Sequence, residues 1–71
     1  MYRFQSPVGT FTIRPHNNNF ELWIEGTHLN SYSSAVAAAD DVFMHATGYQ
    51  KWDIMKETVF SPRNLSDWQT V

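Results

Sequence analysis

The chain has 71 residues, a net charge of −2 and no cysteine, which excludes disulfides, thiolate metal sites and a cysteine nucleophile. Its five Lys and Arg are few for a surface that grips nucleic acid through phosphates. No apolar run approaches the ~18 residues of a membrane span.

A chain this short buries only about 60% of the surface its unfolded form exposes, so its stability must come from dense packing. The material is aromatic: five Phe, three Trp and three Tyr, each able to bury a large area. A hydrophobic content of 42% against 17% charged residues describes a globular chain. Met1-Tyr2-Arg3-Phe4 offers no apolar leader, and the expected location is the cytoplasm. The reading is one small domain over 1–71, with a core at 9–48 and a tail at 49–71.

Gly9-Thr10-Phe11-Thr12-Ile13-Arg14 alternates with period two, as a half-buried strand does. Asn17-Asn18-Asn19 is turn chemistry, and Phe20 to Glu25 alternates again. A turn centred on Asn17-Asn18 sets Ile13 opposite Leu22, Phe11 opposite Ile24, Arg14 opposite Glu21 and Thr12 opposite Trp23. One face is then apolar and the other carries an opposite-charge pair, and a one-residue slip destroys both patterns. Gly26-Thr27 reads as a second two-residue turn, placing Leu29 opposite Ile24. Strict alternation sends Tyr32 outward, while a twist at the strand end sends it inward.

Ser33 or Ser34 caps a helix expected from about Ala35 to Thr47. Ala35, Ala38, Ala39, Val42 and Ala46 form its apolar stripe, His45 sits in its last turn, and Gly48 supplies a left-handed cap. Tyr49, Trp52, Ile54, Met55, Val59 and Phe60 follow without a period. Ser61-Pro62 breaks the chain, and Asn64 starts a short turn bearing Leu65 and Trp68. The expected fold class is α+β: a three-stranded antiparallel sheet on one α-helix, with an irregular aromatic C-terminal tail.

Catalytic chemistry is not expected. His16, His28 and His45 fall at different ends of the fold, so no metal or cofactor site is assigned. Asp41 and His45, four apart, read as a solvated pair on the helix surface. Ser31, Ser33 and Ser34 lack a glycine elbow and a partner histidine. Three scattered glycines make no phosphate loop.

The constellation of interest is the outward sheet face: Thr10, Thr12, Arg14, Glu21, Trp23 and Glu25. An exposed Trp among polar groups suits an interaction hot spot. A tail folded over Trp23 turns it into core instead, and the need to bury Phe60 and Trp68 favours that arrangement.

The run Gly9-Thr10-Phe11-Thr12-Ile13, then Leu22-Trp23-Ile24, then Leu29 to Ala35 and Ala37-Ala38-Ala39 resembles a three-strand-plus-helix plan. It is the plan of plant ethylene-response-factor DNA-binding domains and of the arm-binding domains of tyrosine recombinases. The resemblance spans Gly9 to Thr47 and implies DNA contact through the exposed sheet face. Glu21 and Glu25 on that face repel phosphates, and fold alone does not settle function. His45-x-x-Gly48-Tyr49-x-x-Trp52-Asp53 with Leu65-x-x-Trp68 also resembles a family of short bacterial proteins of unknown function, which implies no activity. The expectation is a non-enzymatic interaction module whose face is Thr12, Arg14, Glu21, Trp23 and Glu25. Its expected partner is a protein or a second copy, with nucleic acid as the alternative.

Overall fold

Asn17 and Asn18 carry the chain through left-handed backbone (φ 48° and 66°), the double positive φ that a two-residue turn matched to strand twist requires. The flanking strands are β2, Gly9–His16, and β3, Asn19–Ile24. All four anticipated pairs are present: Ile13 with Leu22, Phe11 with Ile24, Arg14 with Glu21 and Thr12 with Trp23. The computed structural model describes residues 1–71.

The sheet has five antiparallel strands rather than three. The strands missed are β1, Tyr2–Ser6, and β5, Gln69–Thr70; with β4, Thr27–Tyr32, the order is β4-β3-β2-β1-β5. β1 pairs with β2 along its whole length, from Tyr2 opposite Ile13 to Ser6 opposite Gly9. The Pro7-Val8 turn between them is fastened by Ser6, whose Oγ donates to the Gly9 carbonyl at 2.6 Å. β5 adds a short outer rung, Gln69 on Arg3 and Thr70 on Tyr2.

The second hairpin turns one residue earlier than expected. Ile24 pairs with Thr27, and the left-handed residue is Glu25 (φ 49°). A bulge follows, because Trp23 faces His28 while Leu22 faces Asn30, leaving Leu29 as the extra residue. It reverses the alternation, so Tyr32 lies opposite Phe20 and its hydroxyl donates to Asp41 at 2.7 Å. β4 is an edge strand, and its own side chains satisfy part of that edge: Asn30 Oδ1 accepts from the Ser31 N–H at 2.8 Å, which blunts pairing with another chain.

Burial, and the Asp41 carboxylate that it faces, hold the Tyr32 phenol well above its ordinary pKa of 10. The unfolded phenol ionises near pH 10 and the folded one does not. Stability from this group is therefore intact below about pH 10 and lost as pH rises past it. Tyr32→Phe should cost about 1 kcal/mol at neutral pH and lose less stability than wild type between about pH 9 and 11.5. Parallel losses in urea unfolding across that range would refute this.

Helix α1 spans Ala35–Phe43, capped by Ser34, which accepts from the Ala37 N–H at 3.1 Å. Ala35, Ala38, Ala39 and Val42 are buried against the sheet, and their small size lets the helix lie close. The helix ends four residues short of Thr47. His45 takes the left-handed position (φ 55°), with His45 N–H donating to the Val42 carbonyl at 3.2 Å and Ala46 N–H to Asp41 at 2.9 Å. That is the paired-bond helix stop usually given to glycine. Ala46 is consequently exposed while His45 turns inward. Gly48 does have positive φ (85°), but it lies in the link to α2, Gln50–Asp53.

The tail packs on the inner sheet face. Trp52 and Trp68 are buried there with Phe11, Ile13, Leu22 and Ile24. Phe4 of β1 joins them, with ring centroids 5.9 Å from Trp52 and 5.6 Å from Trp68. Phe60, expected to be buried, is 71% exposed. A turn of 3₁₀ helix at Leu65–Asp67 precedes Trp68, and Asp67 accepts from the Arg63 and Asn64 N–H groups, each at 3.1 Å.

Gly9 has a conformation that only glycine tolerates (φ 133°), and an added Cβ would meet Glu25 Cγ at 3.0 Å. Gly9→Ala should cost ~1–3 kcal/mol, lowering the melting temperature by several degrees. An unchanged melting curve would contradict this account.

Candidate functional site

Because the helices and the tail occupy one side of the sheet, the other side is free of them. Cross-strand pairing assembles a row there that runs over all five strands: Gln69, Arg3, Thr12, Trp23 and His28. Arg14, Glu21 and Ser31 form the adjacent row. Gln5 and Thr10 pair on the other flank.

Trp23 is the centre of this face and is half-buried by its neighbours rather than by the tail. The Arg14 guanidinium lies over its ring at 4.5 Å, a cation–π geometry. The His28 ring stacks on it at 5.2 Å with 28° between planes. Its indole Nε1–H donates to Glu21 at 3.1 Å. Three side chains, one from each of three strands, thus hold the ring in a fixed pose, with little rotamer freedom left to lose on binding a partner.

Of the residues singled out from sequence, Thr12, Arg14, Glu21 and Trp23 share this face. Glu25 does not. It lies in the turn beyond β3, where its carboxylate accepts from the Thr10 N–H at 2.6 Å. Arg3, Gln69 and His28 belong to the face and were missed. The alternation Tyr2-Arg3-Phe4-Gln5-Ser6 before Pro7 is the strand signal that would have found Arg3. Nothing local marks Gln69, and His28 reaches Trp23 only through the bulged pairing.

Two polar atoms on this face are buried without a partner: Arg3 Nε and Thr12 Oγ1. Arg3 uses Nη2 to reach Gln69 Oε1 at 2.9 Å. Charge is unevenly spread as well. Arg3 and Arg14 face Glu21 alone, whereas Asp40, Asp41, Asp53, Glu57 and Asp67 lie on the helices and tail with Lys51, Lys56 and Arg63.

A second constellation lies under the tail. His45 Nδ1 is 2.7 Å from the Trp52 carbonyl and Nε2 is 2.7 Å from Ser61 Oγ. A carbonyl can only accept, so Nδ1 donates to it, and in the neutral ring Nε2 is then the acceptor for the Ser61 hydroxyl. Asp41, expected beside His45, instead accepts from Tyr32. A serine on a histidine is the start of nucleophile chemistry, but Pro62 follows Ser61 and removes the N–H that commonly stabilises an oxyanion. The molecule has no pocket, and no three metal-ligating side chains converge. His45 fastens the helix end to the tail.

No protein-family profile, curated protein or solved structure matches the chain. No helix is long and apolar enough to cross a membrane.

Proposed function

We propose that this is a small non-enzymatic interaction module that contacts a protein partner through the outer face of its sheet. The observation that carries the reading is Trp23: an indole left uncovered by the tail and held in place by Arg14, His28 and Glu21. Rigid aromatics beside an arginine are the commonest energetic anchors of protein interfaces.

The test compares wild type with Trp23→Ala and with Val36→Ala, an exposed change on the helix side. Proteins retained from the source cell by wild type and by Val36→Ala, but released by Trp23→Ala with an unaltered circular dichroism spectrum, support the face. Sedimentation of the same variants shows whether the partner is a second copy. Equal retention by all three would remove the reading.

Nucleic acid is the second reading, favoured by one specific change. With Arg3 on the face and Glu25 folded away, two guanidinium groups stand near one carboxylate. Titration with random duplex and single-stranded DNA at low salt tests it. No binding at tens of micromolar would end it.

A further inference from the structure

We infer that the partner segment is acidic, with one carboxylate seated on Arg3 and an apolar side chain two residues away resting on Trp23. This rests on the interaction-module reading and adds the chemistry of the partner. Arginine presents two adjacent N–H groups, Nε and Nη2, as a planar fork matched to the two oxygens of a carboxylate. Here the fork is half filled. Gln69 Oε1 takes Nη2 at 2.9 Å, and Nε is buried with nothing to accept from it.

A neutral amide oxygen satisfies one prong, whereas a carboxylate satisfies both with charge-assisted bonds. An unpartnered buried donor on a charged group is costly to keep, so an acceptor that completes the fork gains more here than at an ordinary surface arginine. Gln69 is exposed and on the outermost strand, free to swing aside. Arg3 and Trp23 flank Thr12 in one cross-strand row. An extended segment laid along that row meets the guanidinium and the indole with side chains two residues apart, which share one face of a strand. Charge agrees: the face holds two arginines against Glu21, while the chain as a whole is at −2.

The test uses the intact ¹⁵N-labelled protein and the capped peptide Ac-Gly-Glu-Asp-Leu-Phe-Gly-NH2, with its Gln-Asn counterpart and a ten-residue oligothymidylate as controls. The acidic peptide should shift the Arg3 Nε–H and Trp23 Nε1–H resonances saturably. The amide counterpart should bind about tenfold more weakly, the worth of a charge-assisted pair. Gln69→Glu supplies the missing carboxylate from within, so that variant should stay folded and lose the Arg3 response.

Equal binding of the amide peptide, or a response to the oligonucleotide alone, overturns the acidic assignment and leaves the face standing. No response to any of the three also overturns it, and the Trp23→Ala comparison then decides separately whether the face is used.

Discussion

Trp52→Ala should abolish cooperative folding at room temperature. Trp52 is fully buried, stacked on His45 at 4.2 Å and set edge-on to Phe11 at 5.3 Å. Its Nε1–H donates to the Val42 carbonyl at 2.9 Å. Truncation of a buried Trp costs ~3–5 kcal/mol, and losing the indole bond to a Val42 carbonyl that keeps the His45 N–H adds about 1 kcal/mol. A domain of this length has on the order of 4–10 kcal/mol in total, so the loss is comparable to everything available. Trp52→Phe keeps an aromatic ring and loses only the donor and some volume, and should fold with reduced stability. Near-ultraviolet circular dichroism and urea unfolding measure both. A Trp52→Ala protein with a sharp transition within about 1 kcal/mol of wild type would mean that the ring cluster is not the core.

His45 tests a different principle, because its backbone and its side chain make opposite demands. The left-handed φ of 55° favours glycine, while the ring bridges Trp52 and Ser61 and is buried. Losing the ring should cost about 2–4 kcal/mol, from its buried contacts with Trp52 and from its two hydrogen bonds, although the Trp52 carbonyl keeps the Met55 N–H. Alanine also keeps the left-handed penalty of ~1–2 kcal/mol, which glycine escapes. The expected order of urea midpoints is wild type, then His45→Gly, then His45→Ala. An alanine variant more stable than the glycine variant would show that the helix stop does not constrain this position. The same histidine explains why the helix was expected to be too long. Its alanine stripe continues to Ala46, but spacing says nothing of a ring that gains more by turning under the tail.

The central hairpin was fully legible because two independent patterns, apolar alternation and the Arg14–Glu21 pair, agree on one register, and Asn17-Asn18 has the residues for it. β1 is legible in principle, because Tyr2-Arg3-Phe4-Gln5-Ser6 alternates before Pro7. Glu25 illustrates the opposite case. Its alternation places it on the outer face, and a turn one residue earlier than Gly26-Thr27 removes it. A glycine near a turn does not fix which neighbour takes the left-handed conformation. Phe60 was assigned to the interior from its hydrophobicity, which cannot decide among eleven aromatics competing for one small core.

The sequence by itself determined the α+β class, the β2–β3 register, the Ser33/Ser34 cap region and the polar face built from Thr12, Arg14, Glu21 and Trp23. Each depends on neighbours a few residues apart, or on a turn whose chemistry is local. Only the tertiary structure decided that β1 and β5 complete the sheet. Only it showed that the tail packs beneath the sheet and leaves Trp23 open, and that Arg3 stands beside Gln69 with its fork half filled. Arg3 and Gln69 lie 66 residues apart. Their meeting depends on the whole chain closing around Phe4, Trp52 and Trp68, and no local periodicity carries that information.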